Sequence, residues 1–228
     1  MDFYSNLSYY YDEVFPFDHK KASFLKEVFN DKNNILDIGC ATGAYVKALS
    51  DEGFNVLGID SDQEMIKIAK NKYPDLQFKV LDMMDLKDEK YDGIYCIGNT
   101  LVHIQDINKA ITNFEKSLNH KGVLVIQILN YDRILNEKIT TLPLIKNDKL
   151  TFIRNYEFNK DYLNFNTTLV VKDNSYASMT KLYPIRYYDL CNILKNNGFM
   201  DINAYNGFTK TPFNIRESFA LVITARKE

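Results

Sequence analysis

Between residues 33 and 130, short apolar runs alternate with longer segments whose apolar positions recur every three or four residues. This is the signature of a parallel sheet covered by helices. Residues 34–38, 55–59, 91–97 and 123–129 predict four strands, and 77–81 a weaker fifth in which Phe78 and Val80 alternate with polar neighbours. The near-continuous hydrophobicity of the four suits strands buried on both faces. Residues 44–52, 62–71 and 106–119 carry the helical period; around the last, Ile104, Ile107, Ala110, Ile111, Phe114 and Leu118 share a face, and Gly122 reads as its stop.

Beyond Asn130 the period changes to two. Residues 149–158, 162–172 and 176–183 predict three antiparallel strands joined at 159–161 and 173–175. Leu163, Phe165, Thr167 and Leu169 alternate with Tyr162, Asn164, Asn166 and Thr168, so one face packs and the other is polar, as in a sheet lying over a site. A helix over 187–196 stops at Asn197-Gly198, and strands at 199–205 and 218–225 return to the main sheet. The division expected is a core of residues 1–130 and 186–228 with an insertion at 131–185.

Composition narrows the class of partner. The 228 residues hold 28 Lys and Arg against 30 Asp and Glu, a net charge of -2 that offers no broad basic field for a phosphate backbone or an anionic bilayer. The charge argues against nucleic acid as a partner. No segment approaches the ~20 consecutive apolar residues of a membrane-spanning helix. Cys40, Cys96 and Cys191 are odd in number and lack metal-ligand spacing, and the start MDFYSNLSYYYDEVF is aromatic and acidic where a secretory signal has a basic flank. Both point to a reducing, cytoplasmic setting. Oligomeric state is not legible in the sequence.

The candidate chemistry gathers where strands end. The first strand runs through Asp37 into a small-residue loop, Gly39-Cys40-Ala41-Thr42-Gly43, that opens a helix. Glycines there permit close ligand approach. An acid just before the turn opposes a phosphate and favours an ammonium, so the loop suits a ligand with a cationic amino-acid end. Asp60 closes the second strand, where a carboxylate can accept both hydroxyls of a ribose. Asp82 and Met83 follow the third, an acceptor for an exocyclic amine and an apolar wall for a purine. A single strand-end Asp can equally be a helix cap; three at successive carboxyl ends mark the edge where open α/β sheets bind ligands. The spacing of Gly39, Ala41 and Gly43 fails the Gly-x-Gly-x-x-Gly pattern of nucleotide oxidoreductases.

These residues resemble the class I S-adenosylmethionine-dependent methyltransferases, whose glycine loop reads Asp/Glu-x-Gly-x-Gly-x-Gly; here Ala41 stands for the middle glycine. The likeness runs from Tyr11-Asp12 to the last strand pair. It implies a Rossmann-like, mostly parallel α/β sheet with an antiparallel last strand, an antiparallel insertion as substrate lid, and S-adenosyl-L-methionine as cofactor. It assigns the methionine end to Asp37, Gly39, Ala41 and Gly43 with Tyr11 as cover, the ribose to Asp60 beside Ser61, and the adenine to Asp82 and Met83, with Gly98 close by. Gly98-Asn99-Thr100-Leu101-Val102-His103 and Asn130-Tyr131-Asp132-Arg133-Ile134-Leu135 are similar to segments of glycine and sarcosine N-methyltransferases. That narrower likeness implies a small, polar, nitrogen-bearing acceptor touched by Asn130.

A sulfonium is already a good leaving group, so the protein's task is to align the acceptor for in-line displacement and exclude water. Tyr9, Tyr10 and Tyr11 could wall the cation. His103 is the candidate proton acceptor, against a structural reading as a hydrogen-bonded residue at a helix entrance. Arg154 and Arg186 are the candidate carboxylate clamps, since a guanidinium binds a carboxylate bidentately. Competing functions are a protein- or RNA-modifying methyltransferase and a non-catalytic S-adenosylmethionine-binding regulatory module.

Overall fold

The structure, a computed structural model, describes residues 3–87 and 89–228, the first four of these by backbone only. Helices α1 (Phe3–Val14) and α2 (His19–Val28), which the apolar period does not predict, precede the sheet. Then follow β1 (Asn34–Ile38), α3 (Ala44–Asp51), β2 (Asn55–Asp60), α4 (Gln63–Lys72), β3 (Gln77–Val80), β4 (Tyr91–Cys96), α5 (Ile107–Ser117) and β5 (Leu118–Leu129). A short helix α6 (Tyr131–Glu137) leads to β6 (Ile145–Lys146), β7 (Thr151–Phe158), β8 (Leu163–Val171) and β9 (Asn174–Leu182). Helix α7 (Tyr187–Asn196) and strands β10 (Phe199–Asn206) and β11 (Ala220–Lys227) complete the chain.

The main sheet has seven strands in the order β10-β11-β5-β4-β1-β2-β3. β1 pairs in parallel with β2 and β4, and β4 with β5, while β11 runs antiparallel between β5 and β10. Alternate residues of one strand feed opposite layers: Leu36, Cys96 and Ile126 join the α5 and α7 side, and Ile35, Tyr95 and Val125 the α2 and α3 side. The helices start where side chains cap them. Asp62 accepts from the amides of Glu64 and Met65, and Asp106 from that of Lys109. Ile107, Ala110, Ile111 and Phe114 of α5 are buried on the predicted face.

Two local expectations fail. Helix α5 ends at Ser117, so Gly122 is not its stop; it lies inside β5, where a Cβ would stand 2.8 Å from the Asn119 carbonyl oxygen. The turn after β8 is Lys172-Asp173, with Val171 facing Asn174, and Lys172 takes the positive φ of 52°. Asn174 and Ser175 already belong to β9.

The second sheet, β6-β7-β8-β9, is antiparallel throughout. Register aligns Phe152 with Leu169, Arg154 with Thr167, and Tyr156 with Phe165 on its packed face, and continues to Tyr176, Ser178 and Thr180 of β9. An apolar cluster of Val14, Leu150, Phe152, Leu169 and Val171, flanked by Leu7 and Tyr10, welds this face to α1. At the other end Tyr156, Leu163 and Leu182 enter the main core together with Tyr131 and Ile134 of α6. Among the described residues no helix is long and apolar enough to cross a membrane.

Candidate active site

The loop between β1 and α3 is stitched to the end of β2. The amides of Gly39 and Cys40 both donate to the Ile59 carbonyl at 2.8 and 2.9 Å, and the amide of Ala41 donates to Asp60 Oδ2 at 3.0 Å. Gly39 and Gly43 have φ of 76° and 83°, and a Cβ on either would come within 2.5 Å of the Thr100 side chain or the Phe78 ring. These glycines are thus required by protein packing as well as by any ligand. Ala41, at φ 47°, holds a left-handed conformation that its Cβ disfavours.

Asp60 is engaged on both oxygens, Oδ2 by Ala41 and Oδ1 by the amide of Asp62 at 2.9 Å. Each oxygen retains a lone pair, so a ribose would share the carboxylate with the loop it anchors. Burial pushes the Asp60 pKa up, against these amides. Asp37 is 1% exposed, and its Oδ1 has no hydrogen-bond donor. Burial drives its pKa well above the usual carboxylate range. The Tyr95 hydroxyl lies against it without reaching hydrogen-bond geometry and is likewise unpartnered. The hydroxyls of Tyr11 and Tyr45 come within electrostatic reach of the same carboxyl, and burial pushes that of Tyr45 up to about 12. Tyr11 also faces Asp60, and burial first and the two acids after it raise its pKa. A buried acceptor lacking a donor, ringed by hydroxyls, is what an incoming ammonium would satisfy, so the residues present fit the amino-acid end of S-adenosylmethionine.

Asp82 caps the 3₁₀ turn Met83–Asp85, accepting from the Met84 amide at 2.8 Å, and Met83 is buried beside it. Ser61 is exposed at the rim after Asp60. Gly98, at φ 74°, donates its amide to Gln127 Oε1 at 2.7 Å. Next to it Asn99, also left-handed, accepts the Leu129 amide on Oδ1 at 3.0 Å and donates to the Tyr131 hydroxyl at 2.9 Å.

Helix α1 joins this cleft to the second sheet. Asp12 accepts from the Thr42 hydroxyl of the glycine loop and pairs with Lys72 at the end of α4. Phe15 packs between Tyr11 and Phe152, and Lys149 pairs with Glu13 at 2.6 Å. Of the three adjacent tyrosines only Tyr11 faces the acids: Tyr9 is 77% exposed, and Tyr10 packs into the α1–sheet cluster.

Arg154 stands on the packed face of β7, between Phe152 on the Tyr11 side and Tyr156 on the Tyr131 side. Its Nη2 donates to the Pro143 carbonyl at 2.7 Å, but its buried Nε has no acceptor. The Tyr156 hydroxyl, adjoining that of Tyr131, is also buried without a partner. Burial lowers the Arg154 pKa.

Other candidates are placed differently. Arg186 reaches Asp132 and Asn136 at 3.4 and 3.0 Å, and with the Tyr187 amide on Asp132 it clamps α6 to α7. Asn130 caps α6, accepting from the Arg133 amide, and spends both amide hydrogens on the carbonyls of Ile215 and Ser218. His103 makes no hydrogen bond among the described residues; it is solvent-accessible, and desolvation by surrounding atoms lowers its pKa. Tyr45, Tyr95 and Tyr156 join the site without having been singled out from sequence, because each is brought in by tertiary contact rather than by a motif; Asp12 and Tyr131 lie in matched segments that gave them no role of their own.

Comparison with known proteins finds methyltransferases. Residues 35–122 match the methyltransferase domain family. Protein 235L of Invertebrate iridescent virus 6 is 36% identical over 140 residues, 57% of this chain and 49% of that protein. A glycine/sarcosine N-methyltransferase of Aphanothece halophytica is 26% identical over 200 residues, 78% of this chain and 70% of the relative. The chain thus spans about half the length of the viral relative. The fold superposes on an S-adenosylmethionine-dependent methyltransferase from Clostridium acetobutylicum with a TM-score of 0.82, 20% identity and 98% of both chains covered. Over residues 35–122 the chain is thus similar to the methyltransferase domain family, and its fold is that of S-adenosylmethionine-dependent methyltransferases.

Proposed function

We propose that the protein moves a methyl group from S-adenosylmethionine to the nitrogen of a small polar acceptor that carries a carboxylate. The observation that carries this reading is two unsatisfied polar atoms on the second sheet. Arg154 Nε is a buried cationic donor without an acceptor, and beside it the Tyr156 hydroxyl lacks a partner. Leaving such groups unpaired costs about 1–3 kcal/mol each, a cost that an acceptor's carboxylate removes. The likeness to a protein named for glycine and sarcosine N-methylation supports an amino-acid-like acceptor.

When bound, S-adenosylmethionine supplies a methyl group already activated on a sulfonium. In this reading Asp37 and the glycine loop hold its amino-acid end, Asp60 and Ser61 the ribose, and Asp82 and Met83 the adenine, with Gly98 at the edge. Tyr11 and α1 close over the cleft and exclude water. His103, kept neutral at physiological pH by its lowered pKa, takes the proton that the nitrogen loses. Asn130 fixes the start of α6 and hence Tyr131, a positioning role that suits its fully used amide.

The test is methyl transfer from labelled S-adenosylmethionine to paired amines with and without a carboxylate, read by mass. Carboxylated amines should gain one methyl, and Arg154→Ala should raise their KM at least tenfold while cofactor affinity stays constant. Tight cofactor binding with no methylated amine, or no preference for the carboxylate, would sink the proposal.

A further inference from the structure

Pro143, whose carbonyl accepts from Arg154, lines a recess of about 420 Å³ between α6, the segment 139–143 and the start of β11. Leu129, Ile134, Leu142 and Phe219 give it an apolar wall. Its polar neighbours are largely occupied. Asn130 has spent both amide hydrogens on backbone carbonyls, and the Arg133 guanidinium pairs with Glu137 at 3.1 Å. What remain are Thr141 and the Nη groups of Arg133, of which Glu137 takes only the Nε. Such a wall has few groups to recognise the several hydroxyls of a sugar, and it rewards hydrocarbon.

The recess is also within reach of the proposed chemistry. Leu129, which lines the recess, donates its amide to Asn99 just beyond β4, and β5 pairs with β4, so one wall of the recess stands about one strand spacing, ~4.8 Å, from the proposed cofactor cleft. Its volume exceeds ten times the ~30 Å³ share of one water, far more than an acceptor as small as glycine would occupy. Phe219 is 52% exposed at its mouth and Leu144 is 58% exposed nearby. Large apolar side chains left open beside a cavity are surface that a ligand can cover.

From this we infer that the acceptor is an amino acid or related amine with a sizeable aliphatic or aromatic side chain. Its carboxylate pairs with Arg154 and its hydrocarbon seats between α6 and Phe219. The inference rests on the N-methylation reading above and narrows its substrate class.

The enzyme with saturating S-adenosylmethionine is assayed on glycine, sarcosine, leucine and phenylalanine, and methylated product is quantified by mass. Leucine or phenylalanine should exceed glycine in kcat/KM by at least tenfold. Thr141→Trp, an exposed position that fills the recess, should cut the leucine-to-glycine ratio at least tenfold, whereas Phe219→Ala should shift preference toward phenylalanine. Calorimetric cofactor binding by each variant confirms that it is folded. Equal or higher kcat/KM for glycine, or a ratio untouched by Thr141→Trp, overturns the inference and leaves N-methylation standing. Absence of methyl transfer to any of the four overturns the underlying reading and this inference with it.

Discussion

Replacing Asp37 by Asn should move stability and cofactor affinity in opposite directions. In the free protein this carboxyl is buried, its Oδ1 has no donor, and burial holds its pKa well above the ordinary value. The folded chain therefore keeps the proton to higher pH than the unfolded chain, whose Asp titrates near 3.9. Between those two pKa values the native state binds more protons, so this group makes stability fall as pH rises through that window. An amide of the same shape carries no such charge. Relieving an unsatisfied buried group is worth about 1–3 kcal/mol. At ~2–4 °C per kcal/mol for a chain of this size, the free variant should melt about 2–12 °C higher at neutral pH, with a flatter pH dependence. The ammonium loses its charged partner, a loss of about 2–5 kcal/mol for a buried pair, or roughly thirtyfold to several thousandfold in Kd. Thermal unfolding without ligand across about pH 5 to 8, paired with calorimetric titration of S-adenosylmethionine, measures both. A variant that melts lower than the parent, or binds the cofactor equally well, refutes the assignment of Asp37 to the ammonium.

Other substitutions separate the remaining roles. Asp60→Ala removes the acceptor of two backbone amides and of the proposed ribose. With charged hydrogen bonds worth about 1.5–3 kcal/mol each, Kd should rise a hundredfold or more by calorimetry, whereas Asp62→Ala should lose only its cap, ~1 kcal/mol of stability. Ala41→Gly releases a left-handed alanine at about 1–2 kcal/mol against glycine's entropic cost of ~0.5–1 kcal/mol; a denaturant midpoint equal or slightly higher is expected, and a marked loss would show that the strain is not there. His103→Gln should lower kcat without changing cofactor affinity. Because the imidazole pKa is depressed, the parent's activity should decline only below its ordinary ~6.5, and the variant's profile should lose that acid limb; an unchanged limb assigns the proton elsewhere.

The parts of the site that lie along one strand and its following turn were legible in the sequence. Asp37 and Asp60 sit at the ends their apolar runs predict because those runs are largely buried, which fixes where they must stop, whereas Asp82 follows the mostly exposed β3, in which only Phe78 is buried. The packed face of β8 was equally readable, since a period of two leaves no freedom about which side Phe165 and Thr167 take. What the sequence hid depends on distant partners. The tyrosines of α1 carry no clear apolar stripe, and the helix is held by Phe152, Leu169 and Asp12's contacts, none local. Arg186 and Arg154 look alike in sequence. Only the placement of Asp132 and Asn136 shows that the first is committed to joining α6 and α7. Gly39 and Gly43 read as room for a ligand, yet Thr100 and Phe78 are what a side chain would strike.

The two halves of the proposed chemistry are built to different rules, and α1 is where they meet. The proposed cofactor contacts are fixed by hydrogen bonds to the backbone: the glycine loop hangs on Ile59 and Asp60, and Gly98 on Gln127. A substitution there disturbs strand ends shared by three paired strands. The acceptor side is fixed by side chains on one face of β7 and by the recess beside α6, positions that can change without breaking a ladder. Helix α1 touches both, through Asp12 on Thr42 and through Val14 and Phe15 on Phe152. The exposed Asp12–Lys72 and Glu13–Lys149 pairs add little strength. The apolar contact with Phe152, Leu169 and Val171 therefore sets how the second sheet sits against α1, and with it, in the proposed reaction, where Arg154 stands.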